Sequence, residues 1–148
     1  MAMTMNGEVQ LAASREAVWA KLNDPDVLKA CIPGCEELEK TEDNGFRATA
    51  KMKVGPVSAR FKGKVMLSDL DPPNGYKITG EGEGGVAGFA KGGATVGLAD
   101  KDGGTLLSYN VEAQIGGKLA QLGQRLINGA AKKLADEFFS NFGKAVQG

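Results

Sequence analysis

The chain has 148 residues, and its 18 basic residues balance its 18 acidic residues, so its formal net charge is zero. This length predicts one domain spanning residues 1–148, and the balanced charge excludes a global field that attracts nucleic acid. The sequence contains no histidine, which excludes histidine-based acid–base and nucleophilic catalysis and zinc sites that use histidine.

The N-terminal part of the chain predicts a short strand followed by two short helices. Polar and apolar residues alternate over residues 7–11. Ser14 is a good N-cap for a helix that runs to about Leu22. Asp24 and Pro25 supply a second cap and a first-turn proline, and the following helix stops at the turn over residues 31–34.

Six further strands are predicted over the next eighty residues. In the second of them Phe46, Ala48, Ala50, Met52 and Val54 alternate with polar residues. Such clean alternation favours an antiparallel sheet with one buried and one wet face. The predicted strands cover residues 36–41, 46–54, 58–67, 76–81, 89–99 (with an interruption at the glycine pair 92–93) and 106–115.

The turn at Gly55-Pro56 sets the register of one hairpin, because a two-residue turn with glycine first suits type II′. The predicted inward pairs are Met52 with Ala59, Ala50 with Phe61, Ala48 with Gly63 and Phe46 with Val65. Half of these side chains are small, namely Ala48, Ala50, Ala59 and Gly63, as are Gly123, Gly129 and Ala130 near the C-terminus. The hairpin and the C-terminal segment therefore either pack closely against each other or leave a dry cavity between them.

The same register places like charges opposite each other on the wet face, Lys51 with Arg60 and Arg47 with Lys64. Such pairs are unfavourable unless other groups compensate them. One interpretation is that the preceding acidic strand offsets the repulsion between these like charges, with Glu37 opposite Lys51. The other is a docking surface for an anionic partner or for anionic lipid headgroups.

Residues 116–146 predict one long helix, since alanine, leucine, glutamine, lysine and arginine dominate them. Its apolar residues recur every four positions, and at 3.6 residues per turn such a row drifts by about 40° per step. This drift predicts a helix contacted on different sides at its two ends; an ordinary core helix is the alternative. The row is Leu122, Leu126, Ala130, Leu134, Phe138, Phe142 and Val146.

The element order and three stretches of sequence resemble the helix-grip (START or Bet v 1-like, SRPBCC) superfamily, and within it the carbon monoxide dehydrogenase G-subunit (CoxG-like) family. The stretches are DPDVLKACIPGCEEL (24–38), KVGPVSARFKGKV (53–65) and GGKLAQLGQRLINGAAKKLADEFF (116–139). The resemblance implies an α+β helix-grip fold. In that fold a bent antiparallel sheet of about six to seven strands wraps around a long C-terminal helix and encloses a hydrophobic cavity.

The resemblance also implies a function. The family accompanies molybdenum hydroxylases of the carbon monoxide dehydrogenase type and is linked to placing that enzyme at the membrane and to carrying quinones. We therefore expect a non-catalytic accessory protein that holds a quinone or lipid-like ligand and no covalent cofactor. An enzyme of the cyclase, dehydratase or hydrolase kind on the same fold and a ligand-independent assembly factor remain alternatives.

Location follows from other features of the sequence. No apolar run approaches the roughly 20 residues that span a bilayer, and the first residues lack the apolar core of a signal peptide. Cys31 and Cys35 form neither a disulfide framework nor a CxxC pair, which fits inert thiols in a reducing compartment. We expect a cytoplasmic protein, with peripheral contact at the inner face of the cytoplasmic membrane.

Two sets of residues are predicted to form sites, and no catalytic residue or metal ligand is expected. The ligand-binding set is Trp19, Phe46, Ala48, Ala50, Met52, Phe61, Gly63, Tyr76, Tyr109, Leu122 and Leu126. The set for docking a partner or membrane is Arg47, Lys51, Arg60 and Lys64.

Overall fold

A computed structural model describes residues 1–147 as one antiparallel sheet with four helices. The elements are β1 (Ala2–Leu11), α1 (Arg15–Leu22), α2 (Pro25–Cys31), β2 (Cys35–Lys40), β3 (Gly45–Val54), β4 (Val57–Asp71), β5 (Gly75–Glu83), β6 (Phe89–Lys101), β7 (Gly104–Gly116), α3 (Lys118–Gln121) and α4 (Gln124–Gln147). A single 3₁₀ turn, Gly85–Ala87, joins β5 to β6. The sheet has seven strands in the order β1-β7-β6-β5-β4-β3-β2, which confirms the predicted fold class.

The two predicted caps are confirmed at the starts of α1 and α2. The Ser14 hydroxyl accepts a hydrogen bond from the Ala17 N–H at 3.2 Å. The Asp24 carboxylate accepts one from the Asp26 N–H at 2.9 Å, and Pro25 occupies the first turn. Side-chain oxygens thereby satisfy N–H groups that have no partner within the helix.

The register of β3 and β4 is as predicted, including Ala50 opposite Phe61 and Lys51 opposite Arg60. The prediction for the acidic strand was wrong. Lys40 pairs with Phe46 at the turn, and in this register Glu37 lies opposite Thr49 instead of Lys51; a register shift follows between Glu37 and Cys35. The glycine pair at 92–93 does not interrupt β6, which continues through both residues.

The prediction of one helix over residues 116–146 was also wrong. Gly116 is the last residue of β7, and α3 ends before Gly123. Gly123 has φ +91°, which an L side chain rarely adopts, so the chain turns there before α4 begins. The remaining 24-residue helix is about 36 Å long.

The core face of α4 does not follow the predicted four-step row over its whole length. Ile127 and Phe142 are buried, and Ala131, Phe138 and Ala145 lie on the same side of the helix and pack against the core. These positions repeat at close to 3.6 residues, so one fixed face meets the sheet. Phe138, Phe142 and Val146 of the predicted row pack against the core, whereas Leu126 and Leu134 are exposed.

Two hydrophobic clusters hold α4 to the sheet at its two ends. One contains Leu107 and Phe142, and the other contains Ile115 and Ile127. Phe142 follows Ile127 by fifteen residues, which corresponds to about 22 Å of helix. Between these ends Ala131 and Phe138 continue the packed face of α4, and a cleft opens along each of its flanks.

Candidate functional site: two clefts beside the long helix

The cleft between the β3–β4 hairpin and α4, called here the hairpin cleft, has a volume of about 790 Å³. This volume lies within the range of roughly 300–1,000 Å³ that is typical of small-molecule sites. Six apolar residues form its floor and five charged residues its rim. The floor is Met52, Val54, Leu122, Leu126, Ala130 and Leu134; the rim is Lys51, Lys53, Arg125, Lys133 and Glu137.

The hairpin cleft exists because β2 is shorter than β3. The first residue of β2, Cys35, pairs with Ala50, so residues 51–54 of β3 extend past their neighbour. The Gly34 carbonyl accepts a final hydrogen bond from the Lys51 N–H at 2.9 Å. Gly34 has φ +76°, and a Cβ there would collide with the Lys51 carbonyl oxygen, so this close approach requires glycine.

Two large leucines of α4 are left exposed in the hairpin cleft. Leu126 exposes 40% of its surface and Leu134 exposes 36%. The Leu126 side chain also contacts the hairpin turn, where its Cδ2 lies 2.8 Å from the position of a Cβ on Gly55. Because apolar side chains usually leave water on folding, two exposed leucines in one concave surface indicate a binding surface.

The rim of the hairpin cleft is mainly positive. Lys133 and Glu137 form an ion pair at 4.0 Å. Lys51, Lys53 and Arg125 make no ion pair within 4.0 Å to any residue in 1–147. The cleft therefore combines an apolar floor with three cations that make no ion pair, of which Lys51 still acts on Glu36 and contributes to lowering the pKa of that carboxyl.

A second cleft, called here the edge cleft, lies between the edge strand β1 and the opposite flank of α4 and measures about 720 Å³. Tyr109 stacks on Phe139 there with ring centroids 5.2 Å apart, and its ring lies over Gly7. Lys132 and Asp136 form an ion pair at 2.8 Å on the helix side. The aromatic pair partly fills this cleft, and its lining carries one lysine, Lys132, and two carboxylates, Glu8 and Asp136.

Four of the predicted ligand-binding residues line a cleft. Met52, Leu122 and Leu126 lie in the hairpin cleft. Tyr109 lies in the edge cleft, on the other side of α4. The structure therefore does not bring these four residues into one site.

Four others are packed into the protein core. Trp19 and Tyr76 meet edge to face, with ring centroids 5.3 Å apart, in the cluster that contains Phe142. Burial raises the pKa of Tyr76 to about 12, because a phenolate would be poorly solvated in the core. Phe46 and Ala50 are also buried, with 4% and 7% of their surfaces exposed.

The last three lie on the inner face of β3 and β4. Phe61 packs over Gly84, and Ala48 is half-buried. A Cβ on Gly63 would lie 3.1 Å from the Glu81 carbonyl oxygen on the neighbouring strand. The small residue at position 63 therefore serves the close approach of two strands.

The predicted docking set is on the outer face, and its charges are partly compensated. Arg60 bonds to Glu36 at 2.8 Å, and Lys64 lies 3.6 Å from Asp43. The hydrogen bond from Arg60 is the main cause that lowers the pKa of Glu36. Arg47 pairs in register with Glu39. Lys51 is the member of this set that also belongs to the hairpin cleft.

Leu134, Lys53 and Arg125 are site residues that the sequence reasoning missed. Leu134 stood in the four-step row, and its departure from a 3.6-residue face was the available signal. Lys53 and Arg125 carried no signal of their own, because their position depends on how far β3 extends past β2.

The cysteines and acidic residues form no further site among residues 1–147. Cys31 is buried and Cys35 partly so, both are free thiols, and burial raises the pKa of both. Within this part of the chain no group of three potential ligands could hold a metal ion. None of the described helices combines the length and the apolar composition needed to cross a bilayer.

Solved structures with the same architecture define the class of protein. The aromatase/cyclase Zhui from Streptomyces sp. R1128 matches with a TM-score of 0.70 and 14% identity, covering 99% of this chain and 94% of that one. Ara h 8.0201 matches with a TM-score of 0.69 and 16% identity, covering 99% of each chain. At such identities the likeness shows the fold alone: the chain has a Bet v 1-like helix-grip fold.

The family follows from the sequence as well as the fold. The model of the carbon monoxide dehydrogenase G-subunit (CoxG) family matches residues 7–147. A conserved protein from Geobacillus kaustophilus is 34% identical, with a TM-score of 0.92 over 98% of this chain and 95% of that one. The chain belongs to the CoxG family. The comparison with curated proteins gave no match.

Proposed function

We propose that this protein is a non-catalytic accessory protein of a molybdenum hydroxylase of the carbon monoxide dehydrogenase type. It binds a hydrophobic ligand, a quinone or a lipid, in the hairpin cleft and helps couple the enzyme to the membrane. The observation that carries the proposal is the pair of leucines, Leu126 and Leu134, exposed in one cleft. Family membership supports the partner and the membrane role.

The floor of the hairpin cleft suits an elongated apolar molecule. Leu126, Ala130 and Leu134 follow one another along α4, and eight residues correspond to about 12 Å. Covering apolar surface here contributes about 25 cal/mol per Å² before the costs of binding. A flat ring or an extended chain lying along the helix would cover both exposed leucines.

The chemistry of the cleft favours binding over catalysis. The chain has no histidine, and the Tyr76 hydroxyl lies in the core, away from the hairpin cleft. The ionisable groups at the cleft are four cations and one carboxylate at the rim, while the floor is apolar. Such groups suit orientation of a ligand, because none lies among the floor residues as a general base.

The outer face of the hairpin is the proposed docking surface for the enzyme or for anionic lipid. Arg47, Lys51, Arg60 and Lys64 lie on this face, and two of them are already ion-paired. Long-range attraction of an anionic partner therefore depends mostly on Arg47 and Lys51. Such attraction is screened over about 10 Å at 0.1 M salt, so added salt should weaken docking.

The ligand proposal is tested by mass spectrometry of an organic extract of the protein, purified from a host that has membranes. The expected result is a quinone or lipid in the extract of the unmodified protein and less of it in the extract of Leu134→Lys. Leu70→Lys serves as the control, because Leu70 is equally exposed but lies outside the cleft.

Three outcomes would contradict this proposal in different ways. Clean extracts together with no saturable binding of quinones or fatty acids would refute ligand binding. Equal amounts of ligand in the Leu134→Lys and Leu70→Lys extracts would show that the ligand binds outside the hairpin cleft. Partner binding that is indifferent to ligand would instead favour an assembly factor.

A further inference from the structure

We propose that the edge cleft binds an extended peptide segment of another protein, which adds to the seven-stranded sheet as a further strand beside β1. The segment alternates apolar with polar residues and carries basic side chains on its outward face. The edge cleft lies on the opposite flank of α4 from the hairpin cleft, so this surface is separate from the one that binds the hydrophobic ligand.

The backbone of β1 has unpaired groups along this edge. The Met1 amino group donates to the Ile115 carbonyl at 2.9 Å, and the Ile115 N–H donates back to the Met1 carbonyl at 2.7 Å. The register with β7 then continues without a shift, and in an antiparallel pair residues alternate between bonding to the partner strand and facing away from it. The N–H and C=O groups of Thr4, Asn6 and Glu8 therefore point away from β7. No hydrogen bond within residues 1–147 reaches them.

These unpaired groups border free space. Residues 3–9 line the edge cleft without a gap, so the backbone edge of β1, and not one face of the strand, borders it. From Thr4 to Glu8 this edge is about 14 Å long, at about 3.4 Å per residue. On the helix side Ala131 and Phe139 line the cleft, and apolar side chains of an added strand can pack on them.

The two edges of the sheet differ in their protection against pairing. At one edge β2 has six residues, four of them charged, and a register shift interrupts it. At the other edge β1 has ten residues, with Glu8 as its single charge and with neither a proline nor a register shift. Short length, charges and bulges are the devices that keep edge strands from pairing. Since β2 has these devices and β1 lacks them, the edge of β1 is suited to receive a strand.

The surroundings of β1 define the chemistry of the segment. Because side chains alternate across a sheet, every second residue of the segment faces α4 and Phe139, and these residues are apolar. The residues between them face outward, where Glu8 lies in β1 and Glu112 of β7 pairs with Thr4. Opposite charges on neighbouring strands are favourable, so basic outward side chains fit this edge.

A free segment fits the edge cleft better than a second copy of this chain. The β1 strand of a second copy has its own α4 along the same edge, so two helices would meet over the new strand pair. An extended segment brings no helix and meets one α4 alone.

The test uses the synthetic peptide acetyl-VRVTVKV-amide. In antiparallel register its valines face inward, and its arginine and lysine lie opposite Glu8 and Thr4. Its affinity for the full chain is measured by calorimetric titration at low salt, and a ¹H–¹⁵N NMR spectrum locates it. We expect saturable binding, with shifts and slower solvent exchange at the amides of Thr4, Asn6 and Glu8.

Two methylated peptides separate backbone pairing from other contacts. N-methylation of the fourth residue, which lies opposite Asn6, removes a donor to β1 and should weaken binding about tenfold or more. N-methylation of the third residue, whose N–H points away from β1, should change the affinity little.

A matched pair of protein variants tests the same contact from the other side. Asn6→Pro removes the outward N–H from an edge strand, where proline is tolerated, and should weaken peptide binding. Asn6→Ala keeps this N–H and should bind the peptide as the unmodified protein does. The methylated peptides give the answer even if Asn6→Pro fails to fold.

Three results would overturn the proposal: no saturable binding of the peptide, equal weakening by the two methylations, or shifts confined to the hairpin cleft. Dimerisation of the free protein that Asn6→Pro abolishes would also overturn it, because a second copy would then occupy the edge. None of these results bears on ligand binding in the hairpin cleft, so the proposed function is tested separately by its own extracts.

Discussion

The location of free space in this protein can be tested by adding the same side chain at two alanines. Ala50 lies on the inner face of β3 with 7% of its surface exposed, and Ala130 lies in the floor of the hairpin cleft. We expect Ala50→Leu to destabilise the ligand-free protein and Ala130→Leu to leave its stability nearly unchanged. Sequence reasoning placed the cavity at Ala50, so it predicted the opposite result there.

The expected cost at Ala50 comes from overpacking. Its neighbours across the sheet are Cys35 and Phe61, and its side chain has almost no accessible surface. Extra carbons in a filled site cost about 1–3 kcal/mol. For a chain of this length each kcal/mol lowers the melting temperature by about 2–4 °C, so Ala50→Leu should melt about 2–12 °C lower.

The expected change in stability on Ala130→Leu is close to zero or favourable. A leucine there would lie between Leu126 and Leu134, which expose 40% and 36% of their surfaces. Covering about 40 Å² of apolar surface contributes about 1 kcal/mol, against about 0.2 kcal/mol lost in helix propensity. The new side chain occupies ligand volume, so quinone or oleate affinity should fall about tenfold or more.

Two measurements on each stripped variant decide the matter: the melting temperature from calorimetry and the ligand affinity from titration. The reasoning would be refuted if Ala130→Leu melted as far below the unmodified protein as Ala50→Leu. It would also be refuted if Ala50→Leu kept its stability and lost ligand binding, because the ligand would then lie beneath the sheet.

Three other predictions follow from single contacts. Gly129→Ala and Gly143→Ala each place a methyl group in open space on α4. Each should raise the melting temperature by about 2–4 °C, since alanine is favoured over glycine by about 1 kcal/mol in a helix. If neither variant melted at a higher temperature, the space around these two residues would not be open. Thr105→Val should cost about 1–3 kcal/mol in urea unfolding, because it removes a 2.7 Å hydrogen bond to a main-chain carbonyl; a neutral change would show that water replaces the hydroxyl. NMR titration should give Glu36 a pKa below that of an ordinary glutamate, and Arg60→Gln should return this pKa toward the ordinary value. Because the pKa of Glu36 is lower in the folded protein, the pair stabilises the fold above the unfolded pKa. This stabilisation is lost as the pH falls through the folded pKa.

Local features of the fold could be predicted from sequence because nearby residues determine them. Ser14 and Asp24 cap their helices through N–H groups two or three residues away. The Gly55-Pro56 turn fixes a register in which every inward pair of the hairpin is correct. Alternation over β3 likewise identified its buried face.

Features that depend on distant parts of the chain could not be predicted in the same way. The bulge near Glu36 shifts the register of β2 by one residue, and this places Glu36 within reach of Arg60. The break at Gly123 interrupts a stretch whose composition favours helix throughout. The position of the cleft depends on the unequal lengths of β2 and β3, which no local pattern encodes.

The central claim, that a hydrophobic ligand lies in the hairpin cleft, is tested most directly by NMR. A ¹H–¹⁵N spectrum of the stripped protein would be titrated with decylubiquinone and, separately, with oleate. The account predicts saturable shifts at Gly55, Leu126 and Leu134, with little change at Gly7 and Tyr109 in the edge cleft. Saturable shifts confined to the edge cleft, or no saturable shifts with either molecule, would contradict it.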